Sequence, residues 1–166
     1  MTIKEKLLNN TWLKSELKKK NRLKSFVNIN NAATIGLIWQ NEDIEATTYL
    51  IELLQNRNIV IEKLCFANTP GEMVFSKKDF SFFGRPKSDI VKEFINKPFD
   101  ILIDITKDST FEIKVIRALS KAKFKVGSSV SDSNYLDLNI QIKGGAKSMY
   151  LVEQILFYLE AINNVK

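Results

Sequence analysis

The period of the hydrophobic pattern changes repeatedly along the chain, and each change marks an element. Ala33–Trp39 (ATIGLIW), Ile59–Phe66 (IVIEKLCF), Phe99–Asp104 (FDILID) and Phe124–Val126 are short, nearly continuous apolar runs, as expected of strands buried on both faces. Between them the apolar residues recur three and four apart: Ile44, Thr47, Ile51 and Leu54, then Ile90, Val91 and Phe94, then Phe111, Val115, Ile116 and Leu119. That spacing is one side of a helix. Strands alternating with helices predict a parallel sheet with helices packed on it.

Punctuation agrees with this reading. Asn41 or Asp43 is placed to cap the first of these helices, and Ser88 the second. Ser109-Thr-Phe-Glu112 has the spacing of a capping box for the third. Gly36 inside the first strand predicts the close approach of another backbone. Tyr135–Ile142 (YLDLNIQI) alternates like a half-buried strand, and Gly144-Gly145 hinges into a last helix with Met149, Val152, Leu156, Leu159 and Ile162 on its inner side. The expected fold is α/β, a three-layer Rossmann-like sandwich of about five mostly parallel strands over residues 26–166. A helix over residues 1–25 precedes it.

That leading segment differs from the rest in charge. It holds eight Lys/Arg against two acids, an excess of six, whereas residues 26–166 hold 17 of each. Ile3, Leu7, Leu13 and Leu17 form one stripe, with Leu8, Trp12 and Leu23 projecting from the far side. Two uses are open. The helix docks through one side and offers Lys14, Lys18, Lys19, Lys20, Arg22 and Lys24 to an anionic partner (RNA or the ribosome, an anionic membrane surface, or an acidic protein), or its lysines are solvated near the negative end of the helix dipole. With one arginine in the segment the contacts would be point charges, without sequence-specific reading. Trp12 is alternatively a homodimer contact.

From Ala67 to Lys87 no regular period survives. Lys77-Lys-Asp-Phe-Ser-Phe-Phe-Gly-Arg-Pro-Lys87 lies between the turn signals Pro70-Gly71 and Gly84-Arg-Pro86. Phe80, Phe82 and Phe83 interleaved with cations either stack on bases or pin the long connection to the core.

Composition narrows the chemistry. There is no histidine, which excludes Ser-His-Asp and Cys-His catalysis and the H-E-x-x-H metal motif. Cys65 is the only cysteine and lies in an apolar strand, the setting of an inert thiol. No apolar run approaches the ~20 residues that cross a bilayer, and the N-terminus lacks the pattern of a signal peptide, so the expected location is cytoplasmic. Neither G-x-G-x-x-G nor G-x-x-x-x-G-K-[ST] occurs. In an open parallel sheet, ligands bind beyond the carboxyl ends of the strands. This places Asn41, Asp43, Asp104 and Thr106, with Gln40, Asn68, Lys107, Ser128 and Ser129, around a possible crevice for a small molecule. No catalytic residue, metal site or cofactor is assigned.

Lys78-Asp-Phe-Ser-Phe-Phe-Gly84, Phe99-Asp-Ile-Leu-Ile-Asp104, Leu119-Ser-Lys-Ala-Lys-Phe-Lys-Val-Gly127 and Tyr135-Leu-Asp-Leu138 resemble a family of small uncharacterised Bacteroidota proteins over about 32–162. This resemblance implies the domain limits and no activity. Phe99–Gly127, with a fragment near Asp43, is similar to the N-terminal Rossmann half of heptosyltransferase-type glycosyltransferases. There the likeness implies an acidic base at about Asp43, but Glu42 stands where those enzymes have glycine, and their sugar-nucleotide domain has no counterpart.

Overall fold

The computed structural model describes residues 11–107, 110–130 and 135–162. The described elements are α1 (Trp12–Lys19), β1 (Thr34–Gln40), α2 (Ile44–Gln55), β2 (Val60–Phe66), β3 (Val74–Phe75), α3 (Asp89–Asn96), β4 (Ile101–Asp104), α4 (Phe111–Leu119), β5 (Phe124–Gly127), β6 (Leu138–Asn139) and α5 (Ser148–Ala161). The strands form one six-stranded sheet in the order β3-β2-β1-β4-β5-β6, and every neighbouring pair is parallel. The expected parallel α/β sandwich is present, with six strands where about five were expected.

Side-chain alternation along the strands divides the core in two. Ile35 and Leu37 of β1, Ile101 and Ile103 of β4, and Phe124 and Val126 of β5 pack under α2 and α5. Ile38, Leu64 and Leu102 face the other way, against Trp12 and Leu13 of α1, Phe94 of α3 and Ile113 and Ile116 of α4. Gly36 belongs to this second face. A Cβ there would stand 2.7 Å from the Phe99 ring and 3.1 Å from that of Phe94, so the glycine admits two aromatic rings and not, as expected, a backbone.

Four local expectations are corrected. The leading helix does not run to Lys24: α1 ends at Lys19, Lys20 is extended, and the chain continues as a strap with Ser25 N–H donating to Lys123 O at 3.0 Å. After Leu17 no apolar residue faces inward at helical spacing, and Leu23 is 77% exposed. The predicted residues before Thr11, Leu8 among them, lie outside the described ones.

At α4 the N-cap is Thr110, whose hydroxyl accepts from Ile113 N–H at 3.4 Å; the expected cap, Ser109, lies outside the described residues. Asp43 precedes α2 but makes no side-chain cap. The strand expected over Tyr135–Ile142 reduces to β6, because Tyr135 has a positive φ of 59° and Asp137 is turned toward the Lys125 amide, so the chain joins the sheet late.

The long connection 67–87 is internally ordered. It contributes β3, a single turn Lys77–Asp79 in which Ser76 N–H donates to Asp79 Oδ2 at 2.7 Å, and a tight reversal with Ser81 N–H on Arg85 O at 2.8 Å. Gly84 in that reversal has φ +77°, and a Cβ there would lie 2.1 Å from the Phe111 ring. Gly84→Ala therefore combines left-handed strain with overlap and is expected to cost about 2–4 kcal/mol, read as a lowered urea midpoint at unchanged slope. An unaltered midpoint would mean that the reversal carries no strain.

Candidate functional site

The order of strands reverses between β1 and β4, and Asn41 and Asp43 follow the carboxyl end of β1 while Asp104 and Thr106 lie at that of β4. Asn41, Asp43, Asp104 and Thr106 each have a partner inside the fold. Asp104 is fully buried at the end of β4; Arg117 Nε of α4 donates to its Oδ2, and Thr106 donates to Oδ1 through its amide at 2.9 Å and its hydroxyl at 2.6 Å. Asp43 is buried and accepts from Ser148 Oγ at the start of α5. Burial pushes its carboxyl above the ordinary range, against the opposing pull of Ser148 and Lys107. Asn41 accepts from Cys65 Sγ at 3.5 Å, and both line a cavity of about 430 Å³ with Trp39, Lys63, Glu72 and Met73. Burial, with Glu42 and Asp43 nearby, drives the Cys65 thiol to about 11, far from a nucleophile at neutral pH.

Arg117 had no role in the sequence reading, although it stands four residues after Ile113 on the buried stripe of α4. Its Nη2 donates to Ser128 O at 3.3 Å, while Nη1 is buried with no hydrogen-bond partner among the described residues. A charged residue on an apolar stripe is the signal that points to such a pair.

The cations of the leading segment divide into two sets. Arg22 grips Asp137 with two bonds of 2.7 Å, and Lys24 reaches the same carboxylate at 3.0 Å. Lys20 Nζ donates to Leu119 O at the last turn of α4. Lys125, buried beneath the strap, donates to Arg117 O and Ala118 O. Burial, then the charge of Arg22, pulls the Lys125 ammonium down to about 7; burial, then Lys121, pulls Lys20 to about 8. Lys20 and Lys125 thus answer the negative end of the α4 dipole.

Lys14 and Lys18 form the other set. They are exposed, with no acidic partner among the described residues, and Lys19 pairs with Glu16 at 3.3 Å on the surface, an interaction of small energy. Trp12, expected on the outer side, is 8% exposed and turned into the domain.

Over Trp12 the fold joins two stretches that the sequence reading treated apart. The Arg85 guanidinium lies 5.5 Å from the centre of the indole ring, a cation–π contact. Beside it opens a groove of about 320 Å³ lined by Trp12, Glu16, Lys20, Arg85, Pro86, Lys92, Ile95, Asn96 and Leu119. Among the described residues Arg85 and Lys92 have no acidic partner, and the buried Trp12 Nε1 has no hydrogen-bond partner. The aromatic loop divides as well. Phe80 is buried against Phe75, whereas Phe82 and Phe83 are 72% and 59% exposed and meet edge to face at 5.4 Å. Phe80 thus pins the connection to the core, whereas Phe82 and Phe83 lie on its surface.

A parallel sheet ordered 3-2-1-4-5-6 between two helical layers defines a Rossmann-like α/β protein. Within that class the model of a family of unknown function, DUF6913, matches residues 4–162, and the chain belongs to this family. No curated protein and no solved structure matches the chain. Among the described residues no helix is long and apolar enough to cross a membrane, and no three His, Cys, Asp or Glu residues are grouped to hold a metal ion.

Proposed function

We propose that this protein is a non-catalytic cytoplasmic binding protein that engages an anionic macromolecule through the face formed by α1, the start of the strap and the loop carrying Arg85. One observation carries the reading: the groove beside Trp12 collects Lys20, Arg85 and Lys92 from three separate parts of the chain, with Glu16 as its only acid. Three cations against one acid leave an excess of like charge, and an anionic ligand offsets their repulsion. Lys14 and Lys18 extend the positive surface along α1, while Arg22 and Lys24 serve the strap and hold it in place. Lys/Arg facing phosphates or sulfates gain by counterion release, so affinity falls steeply as salt rises.

The test is elution from immobilised heparin, with the triple substitution Lys14→Glu, Lys18→Glu and Arg85→Glu as comparison. The native chain is expected to elute well above physiological salt and the variant to pass through unretained. Equal elution of the two would overturn the reading. Truncation before residue 25 is a poorer test, because it also removes Trp12, Leu13 and the Asp137 clamp from the fold.

The position of the strand-order reversal favours a second reading, a nucleotide or sugar-nucleotide site near Asp43 and Asp104. Its prediction is a rise in Tm with ligand that is lost on Asp43→Asn. An acidic base of the heptosyltransferase kind must reach an acceptor, and a buried Asp43 tied to Ser148 is poorly placed to do so. This supports binding over catalysis.

A further inference from the structure

We infer that the anionic partner is single-stranded nucleic acid, with one phosphate-bearing unit seated in the groove beside Trp12 and adjoining bases stacked on Phe82 and Phe83. This rests on the anion-binding face proposed above and names its occupant.

Lys20 is half-buried, and Trp12, which lines the groove, is 8% exposed. Arg85 and Lys92 of the same groove are exposed, so a flexible strand carrying one phosphate per unit can meet both of them as well as Lys20. A volume of about 320 Å³ lies at the small end of ligand pockets, which span ~300–1,000 Å³, and suits one nucleotide unit.

Phe82 and Phe83 are exposed rings two and three residues before Arg85, on a reversal held by the bonds between Ser81 and Arg85 and by the left-handed Gly84. Rings presented on a rigid turn beside cations stack on any unpaired base, and the stacking is tolerant of sequence. A duplex hides its base faces, and an acidic peptide or heparin has none. Nothing on this face supplies a fork of donors to read a base edge, since the groove has one arginine and its guanidinium is already laid on Trp12.

The experiment measures fluorescence anisotropy of labelled U12, dT12 and a 12-base-pair RNA duplex, alongside elution from heparin, for the native chain and for the double variant Phe82→Ala/Phe83→Ala. The rings are largely solvent-exposed, so the variant should keep the native Tm, which is checked first. The expected result is a loss of about 10- to 100-fold in affinity for U12 and dT12, with weaker binding of the duplex by both proteins and unchanged heparin elution. If the double variant binds U12 as tightly as the native chain, or the duplex is preferred, the nucleic-acid inference fails while the anion-binding reading stands. If neither heparin nor any oligonucleotide is held, both fail. Retention on vesicles of 30% anionic lipid without binding of U12 also overturns the inference and assigns the face to a membrane.

Discussion

Arg117→Leu should lower the stability of this domain by about 3–5 kcal/mol, the cost of leaving a buried charge without its partner. Arg117 and Asp104 are both fully buried, so the substitution strands a carboxylate that retains only the two Thr106 donors. Domains of this size are stable by ~5–15 kcal/mol, so the loss is a large part of the total. Arg117→Lys rescues little, because an ammonium cannot serve Asp104 and the Ser128 carbonyl at once as the planar guanidinium does. The control is the pair Asp104→Asn with Arg117→Leu. Asparagine keeps an acceptor for Thr106 and removes the orphaned charge, so the double variant should be more stable than Arg117→Leu alone. Urea unfolding of the four proteins gives the coupling. A cost below about 1 kcal/mol for Arg117→Leu would show that the pair is structurally dispensable.

Asp137→Ala should release the strap. This carboxylate holds Arg22 twice and Lys24 once, and it accepts from the Lys125 amide at 2.9 Å. Without it, Arg22, Lys24, Lys20 and Lys125 crowd the end of α4 with no acid among them, and a loss of about 2–3 kcal/mol is expected.

The effect depends on pH, with a definite sign. Burial alone would raise the Asp137 carboxyl, but the hydrogen bonds from Arg22 and Lys24 outweigh it and hold the group below its ordinary value of 3.8. A depressed carboxylate contributes stability that is fully present above the unfolded value and is lost as pH falls through the folded one. The native chain should therefore lose Tm more steeply than Asp137→Ala below pH 4, and the two curves should converge in acid. Parallel curves across that range would show that Asp137 does not carry the clamp. Because Leu13 and Trp12 pack independently of it, α1 is expected to remain docked.

Amino-acid order alone determined the architecture of the central part. Continuous apolar runs became β1, β2, β4 and β5 to within two residues at each end, and α3 begins directly after Ser88 and carries Ile90, Val91 and Phe94 as its pattern assigned. Those elements follow from local periodicity, since each buries the face that its own spacing defines. Two-residue strands carry no such period, so β3 was missed and β6 was overextended. The charge asymmetry of the leading segment was legible as well, but its use was not.

Which cations serve the fold was settled by residues about a hundred positions away: Asp137 for Arg22, the Leu119 carbonyl for Lys20. The same holds for Asp104, whose partner Arg117 lies on the next helix, and for the groove, which exists only because the loop carrying Arg85 crosses α1. Pairing across the chain depends on which helix ends and loops the crossovers bring together. Linear spacing contains the period of each element and not the distance between two of them, so the layers could be read from the sequence while the site had to wait for the fold.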